Sequence, residues 1–134
     1  MQIDRQIEYF LGGSPFAVVG ASANQEKYGN KVLRAYLQAA RIAIPVHPAA
    51  THIEGIKAYT DLASIPHPVH GISVITPPHV TEGIVAEAAV CGIKHLWIQP
   101  GAENEAVIIA AHRHGMNFIA GGPCILVALQ YREE

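Results

Sequence analysis

The sequence holds little that announces its chemistry outright. Among 134 residues there are only two cysteines, Cys91 and Cys124. That is too few for a disulfide framework, so burial rather than cross-linking must hold the chain together. Charge is also scarce: Asp, Glu, Lys and Arg make up 15% of the residues and leave a formal net charge of −2. Such a balance excludes a general attraction to nucleic acid or to an acidic membrane surface. No apolar run approaches the roughly 18 residues that a membrane-spanning helix needs. The first ten residues mix Asp4, Arg5 and Glu8 with apolar side chains, unlike a secretory signal, and point to a cytoplasmic protein. There is no Gly-x-Gly-x-x-Gly loop, no pairing of His and Cys at a zinc spacing, and no Ser/His/Asp order that argues for a nucleophile.

What is present is a core. Half of the residues are hydrophobic, enough for one domain spanning 1–134. The pattern alternates. Short apolar runs at 16–19, 42–46, 71–76, 93–98 and 116–119 read as strands, with a shorter strand candidate at 57–60. Helical patterns fill 2–11, 29–40, 79–90, 104–114 and 124–131, and 61–65 reads as a single helical turn. Within the third long helix, Val80, Ile84, Val85 and Ala88 are expected inward; Trp97 and Cys91 read as packing residues. Pro45 cannot donate to a ladder, so its strand should lack a partner on one side. Gly92 and Gly115 sit where left-handed helix caps belong, and Asn104 where an N-cap does. Strand alternating with helix predicts a right-handed α/β fold of three layers around a mostly parallel sheet of five to six strands.

In such sheets ligands bind beyond the C-terminal strand ends. Those ends are Gly20-Ala21-Ser22, Val46-His47-Pro48, Thr76-Pro77-Pro78, Gln99-Pro100-Gly101 and Ala120-Gly121-Gly122-Pro123. The first is the most telling. An apolar strand stops at a glycine, small residues follow, and Lys27-Tyr28-Gly29-Asn30 opens a helix. Small residues admit a close approach, and a helix start offers N–H groups and partial positive charge to a phosphate. A dinucleotide site would place an acid after the second strand to hold a ribose hydroxyl. His47-Pro48-Ala49 stands there instead, which argues against NAD.

These segments resemble a known family, the small single-domain CoA-binding proteins related to the N-terminal domain of the succinyl-CoA synthetase α subunit. The resemblance is carried by Val18-Val19-Gly20-Ala21-Ser22, Lys27-Tyr28-Gly29-Asn30, Ile44-Pro45-Val46-His47-Pro48 and Ile53-Glu54-Gly55. It continues through Ile65-Pro66, Ile75-Thr76-Pro77-Pro78, Gly92-Ile93-Lys94 and Trp97-Ile98-Gln99-Pro100-Gly101-Ala102-Glu103-Asn104, and covers about residues 12 to 130. It implies a Rossmann-like domain holding coenzyme A across the strand ends. Gly20, Ala21, Ser22, Lys27 and Tyr28 would lie at the phosphates. His47 and Pro48 would meet the adenosine end. Thr76, Pro77, Pro78, Gln99, Pro100 and Gly101 would line the path of the pantetheine arm. The relatives often read Val-Asn-Pro-Lys where this chain has Val46-His47-Pro48-Ala49, so a phosphate-pairing lysine is missing. The synthetase's phosphorylated histidine belongs to a later domain, so the ligase reaction does not carry over.

Eight histidines are scattered over different segments and form no ligand set, so no metal is expected. His79, after Pro77-Pro78, and Lys31, beside the phosphate loop, lie close to the expected crevice. Cys124 stands at a helix start, where a thiol gains reactivity; a mixed disulfide with CoA and a small buried hydrophobe are its two readings. The expected function is binding of CoA or an acyl-CoA without catalysis. A homo-oligomer or a partner subunit is left open. An NAD(P)-dependent oxidoreductase and a scaffold that has lost its ligand remain as rivals.

Overall fold

The structure, a computed structural model, describes residues 3–133. Its chain order is α1 (Ile3–Leu11), β1 (Phe16–Val19), α2 (Tyr28–Gln38), β2 (Ala43–Val46), β3 (His52–Ile53) and β4 (Ile56–Lys57). After these come β5 (Gly71–Val74), α3 (Pro78–Val90), β6 (His95–Ile98), α4 (Glu105–Arg113), β7 (Asn117–Ile119) and α5 (Ile125–Ala128). Five strands form one parallel sheet in the order β2-β1-β5-β6-β7. The expected α/β Rossmann-like architecture is therefore present.

Strand parity divides the core in two. Ala17, Val19, Ile72, Val74, Leu96 and Ile98 face one way, into a cluster with Val85 and Ala88 of α3 and Val107 and Ala111 of α4. Phe16, Val18 and Trp97 face the other way, with Phe10 of α1, Val32, Leu33 and Tyr36 of α2, and Ile125 of α5. Both faces are covered, which is why the strands read as continuous apolar runs. The polar atoms in this core are paired: Tyr36 Oη and Ser73 Oγ, both fully buried, share a hydrogen bond of 2.6 Å. Burial pushes the Tyr36 phenol well above its ordinary range, so it stays neutral.

Several expectations are corrected. The segment expected as a strand at 57–60 is instead the end of a two-stranded hairpin, β3 against β4. Glu54 and Gly55 turn it, both at positive φ (51° and 76°), the pattern of a type I′ turn. Tyr59 then bridges Val46, donating its N–H to the Pro45 carbonyl and accepting from the His47 N–H. Pro45 thus lies on the edge strand of the main sheet, where its missing donor costs no ladder bond.

Residues 61–65 form a turn closed by Asp61, whose Oδ1 accepts from the Ser64 N–H at 2.8 Å, rather than a helix. In α3 the buried stripe is Thr81, Val85 and Ala88, which leaves Val80 40% exposed, and the buried Thr81 hydroxyl hydrogen-bonds back to the Thr76 and Pro77 carbonyls. α5 stops at Ala128 instead of 131, since Gln130 adopts φ 57° and the chain reverses. Cys91 is exposed at the C-cap of α3, beyond its apolar stripe, and does not pack. The expected first helix began at Gln2, which lies outside the described residues. Asn104 is the N-cap of α4, its Oδ1 accepting from the Val107 N–H at 2.8 Å. No helix among the described residues is long and apolar enough to cross a membrane.

Candidate functional site at the strand ends

The sheet order reverses direction between β1 and β5, with β2 on one side and β5 to β7 on the other. That switch point is where an open α/β sheet leaves a crevice. A cleft of about 430 Å³ opens there, lined by Gly20, Ala21, Ser22, Lys27, Tyr28, Gly29, His47 and Ile75. Six of the thirteen residues expected at a ligand share this one cleft.

Two glycines shape it. Gly20 has φ 97°, and a Cβ on it would sit 2.3 Å from the Ile75 carbonyl oxygen. Only glycine allows β1 to end in this turn against the end of β5. A Cβ on Gly29 would lie 2.0 Å from the Gly20 carbonyl oxygen. Glycine there lets the first turn of α2 close onto the β1 loop, backbone against backbone. Lys27 occupies the N-cap of α2 without a side-chain cap, so the helix start is left to an outside acceptor. Lys27 itself is exposed, and Tyr28 presents 62% of its surface to solvent.

The loop between them is tied by its own side chains. Ser22 Oγ accepts from the Asn24 N–H at 3.1 Å, and Asn24 Oδ1 from the Glu26 N–H at 3.0 Å. Asn30 is fully buried beneath it. Its Nδ2 donates to the Ser22 carbonyl at 2.9 Å and to Glu54 Oε2 at 3.0 Å, while Oδ1 accepts from Arg34 Nε at 2.6 Å. Hydrogen bonds from Asn30 and then Gln25 hold the Glu54 carboxyl below the usual carboxylate range. Asn30, Arg34 and Glu54 were not expected at the site. An Asn on the inward stripe of α2 and a Glu-Gly hairpin turn were the signals that could have found them.

His47 closes its own loop. Its Nδ1 accepts from the Ala49 and Ala50 N–H groups at 3.0 and 2.9 Å. An asparagine oxygen can make the same turn, so His47 can close the loop as the Asn expected from the resemblance would. Pro48 is exposed beside it.

The remaining expected residues lie further along the sheet. Thr76 Cγ2 would stand 3.2 Å from a Gly20 Cβ, so the third loop adjoins the first. Thr76 Oγ1 pairs with buried Thr81 Oγ1 at 2.7 Å. Pro77 is the N-cap of α3 and Pro78 its first residue, a position proline suits because its missing donor is not needed there. Gln99 turns inward: it is 3% exposed, its Oε1 accepts from the Ile125 N–H at 2.7 Å, and its Nε2 reaches Cys124 Sγ at 3.4 Å. Pro100 and Gly101 are exposed above it, Gly101 at φ 95°. His79 is exposed, and Lys31 sits 3.7 Å from Glu133. Among the described residues no group of three or more His, Cys, Asp or Glu could hold a metal. A second hollow, about 240 Å³, lies at the opposite end of the sheet between α1 and β6–β7, lined in part by Tyr9, His95 and Phe118.

The chain is 26% identical over 132 residues to the α subunit of an ADP-forming acetate–CoA ligase II from Pyrococcus furiosus, covering 89% of this chain and 28% of that subunit. It spans little more than a quarter of that relative's length. A conserved hypothetical protein of known structure from Pyrococcus furiosus is 37% identical, with a TM-score of 0.82, over 87% of this chain and 99% of that one. A dinucleotide-forming acetyl-coenzyme A synthetase 1 from Candidatus Korarchaeum cryptofilum is 26% identical with a TM-score of 0.73, over 84% of this chain and 27% of that one. The model of a family described as a CoA binding domain matches residues 14–130. The chain therefore belongs to the CoA-binding domain family.

Proposed function

We propose that the protein binds coenzyme A, free or acylated, in the cleft at the ends of β1, β2 and β5, and carries no catalysis of its own. The observation that carries this reading is the Gly20–Gly29 contact. It brings the uncapped start of α2 against a loop of small residues, the arrangement that binds a pyrophosphate through backbone N–H groups. Lys27 adds positive charge at the same rim. Family membership supports CoA as the nucleotide.

An NAD site is disfavoured by the same geometry. His47 spends its Nδ1 on its own loop, and the carboxylate that comes near, Glu54, is engaged by Asn30 and Gln25. No carboxylate stands directly after β2, where a ribose diol is usually gripped.

Thermal unfolding with CoA, acetyl-CoA, NAD, NADP and ATP tests the proposal. CoA at one hundred times its dissociation constant is expected to add about 2.7 kcal/mol of stability. NAD and NADP are expected to add none. Stabilisation by NAD(P) alone would favour the oxidoreductase, and no shift with any CoA species would favour the scaffold.

A further inference from the structure

Glu54 is exposed on the β3–β4 hairpin, yet one oxygen of its carboxylate takes two hydrogen bonds from the α2 side. Oε2 accepts from Asn30 Nδ2 at 3.0 Å and from Gln25 Nε2 at 3.2 Å. The Asn30 amide has two N–H groups, and its other bond goes to the Ser22 carbonyl at 2.9 Å. Because the amide is planar, fixing one N–H fixes the direction of the other. Arg34 closes the arrangement from α2: its Nε donates to Asn30 Oδ1 at 2.6 Å and its Nη2 to the Gln25 carbonyl at 2.8 Å. Residues 22 and 25, the two ends of the loop, are therefore held by one network. Its far anchor is 24 residues from Asn30 in sequence.

The hairpin explains how that anchor is placed. Glu54 and Gly55 occupy the two central turn positions at positive φ. The adjoining Ile53 is 2% exposed and packs in the α2 side of the core. Burial thus pins the hairpin, and the turn delivers the carboxylate to α2.

We propose that Glu54 is a positioning residue for the phosphate loop. It orients Asn30 and Gln25, and through them holds residues 22–25 in the shape that receives a phosphate. Its effect on ligand affinity rests on the CoA reading; its effect on the loop does not. Glu54 acts through hydrogen-bond acceptance, with the Arg34 charge nearby, and touches no phosphate itself.

The test compares wild type with Glu54→Ala and Glu54→Gln by CoA calorimetry, thermal unfolding and backbone amide exchange of residues 22–25. Glu54→Ala is expected to weaken CoA about tenfold, to speed exchange in the loop and to lower the melting temperature by a few degrees, because one N–H of the buried Asn30 amide loses its acceptor. Glu54→Gln keeps an acceptor oxygen and is expected to stay within about threefold of wild type. Unchanged loop exchange in Glu54→Ala overturns the proposal. So does Glu54→Gln behaving like Glu54→Ala. If wild type binds no CoA, the ligand reading fails, and the exchange comparison still decides the role of Glu54.

Discussion

Gly29→Ala is expected to abolish CoA binding and to destabilise the fold by about 3 kcal/mol, near the top of the usual range for overpacking. The sign is informative. Alanine normally stabilises a helix relative to glycine by roughly 0.5–1 kcal/mol, and Gly29 lies in the first turn of α2. Here the added Cβ would meet the Gly20 carbonyl oxygen at 2.0 Å, the Gly20 carbonyl carbon at 3.0 Å and the Ala21 Cα at 3.2 Å. All three are backbone atoms and cannot rotate away. α2 would have to retreat from the β1 loop, opening the place where N–H groups converge. Circular dichroism melts and calorimetry with CoA check both parts. A Gly29→Ala protein as stable as wild type, with unchanged affinity, would contradict the close approach.

That approach was only half legible in the sequence. Gly20 and Gly29 stood out as small residues flanking a helix start, but their mutual contact depends on how α2 crosses β1. Strand parity was more legible than the use made of it. Trp97 and Gln99 are two apart and so point to the same side of β6. That alone turns Gln99 toward α5, where it meets Ile125 and Cys124, rather than outward. The hairpin was missed because its strands are two residues each, too short for any alternation to register. Asn30 and Glu54 lie in segments that carry the resemblance, and no local pattern assigns either a role. Their partnership spans two elements that no periodicity links.

Trp97→Ala is expected to carry the largest stability loss, about 4 kcal/mol. The indole is fully buried and packs edge-on against Phe10, with ring centroids 5.5 Å apart. Its Nε1 also donates to the Pro123 carbonyl at 3.1 Å. Truncation therefore removes packing between β6 and α1 and frees the 121–123 turn that leads into α5. Trp97→Phe keeps most of the volume but loses the donor, and is expected to cost about 2 kcal/mol. Urea unfolding followed by circular dichroism measures both, since the single tryptophan is gone. Equal losses for the two variants would show that the hydrogen bond, not the packed volume, dominates.

The central claim is that CoA occupies the cleft where β1, β2 and β5 end. Amide chemical-shift mapping on titration with CoA tests it most directly. The largest changes are expected at Gly20, Ala21, Ser22, Lys27, Tyr28, Gly29 and His47, with smaller ones at Thr76. Changes centred instead on Tyr9, His95 and Phe118, at the hollow beneath α1, would contradict the claim, as would a spectrum that does not change at saturating CoA.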